Sequence, residues 1–267
     1  PSVAENLSDK EGKSLKQTLV DFGLRGSLSQ VKLAAGYYAH WVELHIEQGP
    51  ILEREQISIG IVDAIAAPAA LRCSFRGQGG HAGAVLMPSR KDAFLGAAQL
   101  ALEVETHALS LGTIDTVATT GYVKVHPCAV NSIPSQVDLE IDVRDIDAQR
   151  RNHVISAIQA SAKTIAEERK LELVMEIINA DPPAISDPAI LKAIDDACCQ
   201  LQFSAMHMVS RAYHDTLFMA MIAPVAMIFI PCYQGYSHRP DEYAAPEAIA
   251  QGVDVLAHAL ATLANEA

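Results

Sequence analysis

An α/β protein interrupted by an inserted ferredoxin-like α+β domain is the fold this sequence predicts, and three patterns predict it. Strand-like and helical segments alternate at both ends of the 267-residue chain, as in an α/β layer. Between residues 66 and 182 the order becomes β-α-β-β-α-β, the ferredoxin-like split arrangement. A Pro-Ala stretch (Ala66–Ala70) and D-P-P-A (Asp181–Ala184) bound this unit and read as hinges. The division is therefore 1–65, first α/β part; 66–182, inserted unit; 183–267, second α/β part.

Each element has its own signal. Residues 1–40 read as helical with polar punctuation: Ser8 or Ser14 can cap, and Leu15, Leu19 and Phe22 recur at helical spacing before Gly23. In W-V-E-L-H-I-E-Q-G-P, strand alternation puts Val42, Leu44 and Ile46 on one face and Glu43, His45 and Glu47 on the other. Gln48 and the Gly49-Pro50 break end that strand, and Pro50 suits the first position of a short helix reaching Gln56. Ile57–Ile65 is β-branched and strand-like. Inside the insert, Leu71–Gly77 reads as a strand, followed by a Gly-rich turn and an amphipathic helix over Arg90–Leu109. Strands follow at Asp115–Val125 and Gln136–Arg144, then a helix at Asp147–Lys170 and a strand at Leu171–Ile178. In the second of those strands Val137, Leu139, Ile141 and Val143 alternate with Asp138, Glu140, Asp142 and Arg144. Beyond it, helices at Asp187–Gln200, Thr216–Ile222 and Pro246–Asn265 alternate with strands at Ala205–Val209 and Ala226–Ile230.

Half the residues are hydrophobic and 19% are charged, a globular composition. A net charge of −12 argues against nucleic acid or an anionic membrane as partner. No apolar run reaches the roughly 18 residues that span a bilayer. Five cysteines without C-x-x-C spacing suit buried thiols in a reducing compartment better than a disulfide framework. The first ten residues lack the basic and apolar regions of a signal peptide.

Of the ten histidines, His40, His107, His126, His153, His207 and His258 have no company in sequence that would organise a site. Four others do. His45 lies between two carboxylates, and His81 sits at the tip of G-G-H-A-G, where glycines admit close backbone approach. His214 follows Tyr213 in S-R-A-Y-H-D, where Asp215 could simply cap a helix. His238 lies in a glycine-containing loop after a buried strand, a place for a metal ligand or proton carrier. Asn131 reads equally as a turn residue, and Arg144 as the partner of Asp142 or Asp145.

Taken in order, E-L-H-I-E-Q-G-P, G-G-H-A-G-x-x-x-M-P-x-R, A-x-N-x-I-P, D-x-R-D and G-Y-S-H-x-P-x-E-Y resemble one family. It is that of the N-carbamoyl amino acid and allantoate amidohydrolases, binuclear-metal relatives of aminoacylase-type peptidases. The resemblance runs from about residue 10 to 265. It implies an aminopeptidase-like catalytic domain with an inserted lid that dimerises, and two manganese ions per subunit. A His/carboxylate site would also accept zinc. By resemblance His45 is a ligand of one ion and His238 of the other. Gln48, Tyr213 and His214 line the substrate pocket, and His81, Asn131 and Arg144 clamp substrate from the lid. Arg144 would meet a substrate carboxylate, and His81 would stabilise charge developing on the attacked carbonyl. Within the family, S-R-A-Y-H-D and F-I-P-C-Y-Q-G-Y-S-H are similar to segments of members that cleave ureidoglycolate. Allantoate and N-carbamoyl amino acids are the alternative substrates.

The family's H-x-D, bridging aspartate and Glu-Glu pair do not occur before His45. The expectation is that the chain corresponds to the C-terminal part of such an enzyme and does not hydrolyse substrate alone, since no general base is present. A shortened product acting as a dimerisation module is the alternative from another class. The compartment is left to the resemblance: cytoplasm for a bacterial chain, endoplasmic reticulum admitted for a plant one.

Overall fold

The structure, a computed structural model, describes residues 2–9, 11–110 and 113–266; the expected outer limits at 1 and 267, and position 10 of the leader reading, lie outside that set. Helices α1 (Ser2–Glu5) and α2 (Leu15–Asp21) lead to β1 (Trp41–Ile46) and α3 (Ile51–Glu55). Next come β2 (Ile59–Ile65), β3 (Ala67–Arg76), β4 (Gly80–His81), α4 (Ala93–Ser110), β5 (Val117–His126), β6 (Ser132–Ile133), β7 (Gln136–Asp145), α5 (Ala148–Arg169) and β8 (Glu172–Ala180). The chain continues through β9 (Ala184–Ile185), α6 (Pro188–Leu201), β10 (Ala205–Ser210), α7 (Thr216–Met219), β11 (Val225–Ile230) and α8 (Pro246–Glu266).

One sheet runs β1-β11-β2-β10, with β9 paired to β2. Strand β11 is buried along its whole length because both faces of the sheet are covered, which is why V-A-M-I-F-I shows no alternation. On one side Ile190, Ile194, Val255 and Leu263, from α6 and α8, pack on Ile59, Ile61 and Ile228, with Val42, Leu44 and Ile46 at the margin. On the other, Leu52, Leu217, Met227 and Phe229 form a smaller core. Helix α6 starts where the sequence says it should: Asp187 accepts from the Ala189 and Ile190 N–H groups, and Pro188 opens the first turn.

The second sheet, β5-β7-β3-β8, is antiparallel throughout. Helices α4 and α5 cover one face, burying Phe75, Leu71, Leu100 and Ile158 against the inward row Val137, Leu139, Ile141 and Val143 of β7. Its other face is polar, with Arg72 bridging Glu140 and Glu176. This is the expected split βαβ unit.

Four expectations are corrected. Ala66–Ala70 is no hinge loop: Ala66 alone separates β2 from β3, and Ala67–Ala70 already pairs with β7. Pro68 is tolerated there because β8 pairs only from Ala69 onward. Residues 22–40 are irregular apart from a 3-10 turn at Leu28–Gln30, since Gly23, Gly26 and Gly36 take left-handed φ of 73°, 106° and 77°. Pro50 caps α3 from outside rather than opening it, and α7 stops at Met219.

Candidate metal centre and adjoining cavity

Strands β1 and β11 are parallel neighbours, with His45 opposite Phe229, so the turn after β1 meets the loop after β11. Glu47, 7% exposed, turns back to accept from the Ile51 and Leu52 N–H groups at 2.9 and 2.8 Å and so starts α3. Gly49 is required beneath that carboxylate: a Cβ there would lie 2.7 Å from Glu47 Oε1.

Glu43, His45 and His214 converge, each with one ligand-type atom within 4.8 Å of the others. The His45 and His214 rings meet edge to face at 4.8 Å, and His214 Nδ1 lies 4.0 Å from Glu43 Oε1. The remaining atoms are committed to the protein. His45 Nδ1 lies 2.8 Å from the Ile46 carbonyl, which can only accept, so Nε2 keeps a lone pair. The Ser210 hydroxyl donates to the Ala212 carbonyl and accepts from His214 Nε2–H at 2.8 Å, leaving a lone pair on Nδ1. Glu43 Oε2 accepts from the Thr216 N–H and hydroxyl at 2.9 and 2.6 Å, and Trp41 Nε1 steadies that hydroxyl at 3.1 Å. Burial, then the neighbouring His45 ring, pushes the His214 pKa down to about 4, keeping it neutral. Two imidazoles and a carboxylate oxygen gathered within 4.8 Å, each ring held by the protein through its other nitrogen, fit a divalent cation.

Beside this group is a cavity of about 410 Å³ walled by Gln48, Arg144, Ser210, Arg211 and Phe229 among others. Arg144, from β7, holds Asp142 side-on (Nε–Oδ1 2.7 Å, Nη2–Oδ2 3.2 Å) and gives one Nη1–H to the Arg211 carbonyl at 2.9 Å. Arg144 thus makes the ion pair with Asp142 and also lines the cavity. Arg211 pairs with Asp115 at 2.6 Å.

The remaining expected site residues divide. Tyr213 does not wall this cavity; its hydroxyl donates to Asp181 at 2.8 Å and its ring meets Phe218. His214, expected in the substrate pocket, is 4% exposed and lies against His45 and against Ser210 and Phe229 of the cavity wall. His238 is exposed on the loop after β11, its N–H held by Glu242 at 2.8 Å, and stands outside the Glu43–His45–His214 group. His81 and Asn131 come together through the β4–β6 pair: the Asn131 carbonyl accepts from the Ala82 N–H at 2.9 Å, and His81 Nδ1 accepts from Gly83. That pair is a separate sheet from the one carrying His45. Asp215 makes no side-chain cap on α7, its own backbone being already helical (φ −60°, ψ −30°), and Glu43 accepts from the Thr216 N–H.

Sequence reasoning missed Glu43 as a member of the group, although its i, i+2 relation to His45 was the available signal. It also left His207 without company. That ring lies between Asp63 (2.6 Å) and Asp195 (3.2 Å), and the Asp63 hydrogen bond raises its pKa. All five cysteines are free. No helix among the described residues is long and apolar enough to cross a membrane.

The chain belongs to peptidase family M20/M25/M40, whose sequence pattern matches residues 11–262. It is 59% identical over 237 residues to a ureidoglycolate hydrolase of Arabidopsis thaliana, covering 88% of this chain and 50% of that protein. The ureidoglycolate hydrolase of Oryza sativa subsp. japonica is 58% identical, with 88% and 49% covered. A crystal structure of AtUAH in complex with glyoxylate superposes with a TM-score of 0.88 at 53% identity, over 98% of this chain and 64% of that one. The chain thus spans about half the length of the curated relatives it matches.

Proposed function

We propose that these residues form part of the site of an amidohydrolase that cleaves the ureido group of ureidoglycolate to glyoxylate, ammonia and carbon dioxide. The observation that carries this reading is the convergence of His45, His214 and Glu43 beside a cavity holding Arg144 and Gln48. The 59% identity to a ureidoglycolate hydrolase selects the substrate over allantoate or an N-carbamoyl amino acid.

In this reading His45 Nε2, with His214 Nδ1 and Glu43 Oε1, holds a divalent cation, manganese by preference, and His238 serves a second ion. A cation there supplies Lewis acidity towards the ureido carbonyl and water. Arg144 receives the substrate carboxylate on the N–H groups that Asp142 and the Arg211 carbonyl leave free. Gln48 contacts the ureido end. His81 and Asn131 arrive from the inserted unit, acting as a lid that pairs with a second copy, and His81 steadies charge on the attacked oxygen. Tyr213 sets the hinge through Asp181 and limits substrate size when the lid closes. Glu43 is tied to Thr216, so no general base is assigned among these residues, and the 267-residue chain is expected to bind without turning over.

Two measurements test this. Calorimetry should show Mn2+ or Zn2+ binding to the chain, weakened about tenfold or more in His45→Ala and in His214→Ala; equal affinity in all three removes the metal assignment. Turnover of ureidoglycolate, allantoate and N-carbamoyl amino acids by a protein as long as the relatives should favour the first. A preference for allantoate would reject the substrate, and ammonia release by the 267-residue chain would reject its inactivity.

A further inference from the structure

The peptide group between Ala82 and Gly83 is held at both of its ends. Arg90, the last residue of G-G-H-A-G-x-x-x-M-P-x-R, reaches back across its own loop. Its Nη2–H donates to the Ala82 carbonyl, and its Nε–H donates to the Val85 carbonyl at 3.0 Å. At the other end of the peptide, the Gly83 N–H donates to His81 Nδ1 at 3.1 Å. The Ala82 N–H is tied to the Asn131 carbonyl at 2.9 Å, and the Ala84 and Val85 N–H groups turn back to the His81 carbonyl, both at 3.2 Å. Arg90 is half-buried and makes no ion pair among the described residues, so these two carbonyls are what its charge meets. The His81 ring at the tip is exposed.

We propose that Arg90 is a positioning residue for His81: by holding the Ala82 carbonyl it aims the Gly83 N–H at His81 Nδ1, so that the exposed ring offers Nε2–H as its donor. The carbonyl of one residue and the N–H of the next lie at opposite ends of one planar trans peptide, so fixing either end fixes the other. Two carbonyl dipoles that converge on one place repel each other. A guanidinium, charged and with its donors in a rigid fork, turns that repulsion into two charge-assisted hydrogen bonds. A backbone N–H can only donate, so Nδ1 must accept, and the proton of the neutral ring is then on Nε2. Without Arg90 the two carbonyls part, the peptide rotates, and either ring nitrogen can carry the proton. An Nε2–H donor is what the functional reading above asks of His81 towards the attacked oxygen. That role rests on that reading, whereas the link from guanidinium through peptide to ring does not.

The test is NMR of the full chain labelled with 15N, at about pH 8, above the ordinary histidine range. The native chain should show a scalar coupling between the Gly83 amide nitrogen and His81 Nδ1, together with the 15N shifts of a single Nε2–H tautomer. Arg90→Ala should lose the coupling and show both tautomers, and added methylguanidinium should restore the native signals. Arg90→Gln keeps a donor without the charge or the fork and should weaken the coupling, which reads the same effect should Arg90→Ala fail to fold. Lys91→Ala removes a second cation from the hollow of about 260 Å³ that Arg90 also lines, and should change nothing. Absence of the coupling from the native chain overturns the proposal, as do native signals in both Arg90 variants or equal loss in Lys91→Ala. A preference for allantoate in a protein as long as the relatives rejects the functional reading and leaves the coupling as measured.

Discussion

His214 makes the stability of this fold depend on pH in a direction that can be worked out. Its ring is 4% exposed, and burial followed by the His45 ring brings its pKa down to about 4. In the unfolded chain the same imidazole titrates near 6.5, so between the two values the unfolded state binds more protons. The contribution is therefore complete above pH 6.5, is lost as the pH falls towards 4, and is gone below that. Relative to pH 8, one group with these values removes about 2 kcal/mol at pH 5 and about 3 kcal/mol at pH 4. His214→Gln deletes the titration while keeping a polar group for Ser210. The variant should be less stable than the native chain at pH 8, because the ring also packs on Phe229 and His45. Its stability should then fall less on acidification. Urea denaturation from pH 8 to pH 4, with a chelator present, gives both curves. A native-minus-variant difference that narrows by about 2 kcal/mol at pH 5 is expected. Parallel curves would show that His214 is not held neutral by burial, and the tautomer assignment at the metal group would fall with it.

Three other substitutions probe how the inserted unit is held. Gly77→Ala places a Cβ 2.0 Å from the Lys91 carbonyl oxygen and 2.9 Å from Leu171 Cδ2, so it should cost about 3 kcal/mol by thermal denaturation. Gly121→Ala meets nothing within 4 Å and should stay within about 0.5 kcal/mol; equal effects would refute the packing at Gly77. Asp145 has a fully buried carboxylate. Burial raises its pKa, but Arg150 at 2.5 Å, Thr116 and the Asp147 N–H outweigh that and lower it. Asp145→Ala should cost about 3 kcal/mol at pH 7, and the difference from native should shrink as the pH drops below the ordinary aspartate range.

What could be read in the sequence was whatever local physics decides. The inward row of β7 follows from a side-chain period of two, and the starts of α5 and α6 from Asp147 and Asp187, each accepting two N–H groups of the turn it opens. The helical spacing of Leu15, Leu19 and Phe22 is realised in α2 but does not extend into residues 22–40. Three glycines free to take positive φ prevent that. Ala66–Ala70 looked like a hinge because proline and alanine are poor strand formers. Tertiary pairing with β7 overrides that preference at a place where only one neighbour reaches Pro68.

The site divides along the same line, and Glu43 shows where. Alternation places Glu43 on the face of His45, and that much needed no structure. Its role depends on α7, 173 residues further on, where it accepts from the Thr216 N–H and hydroxyl. A carboxylate anchored through Oε2 to Thr216 can turn only Oε1 towards the two imidazoles, so the helix start and the metal group are one arrangement. The same holds for Gln48. Its neighbours in sequence mark a strand end, but the partner of its amide, Ser237 at 2.8 Å, lies on a distant loop. Residue type is written locally, whereas the partner of a hydrogen bond is set by a part of the chain far away in sequence.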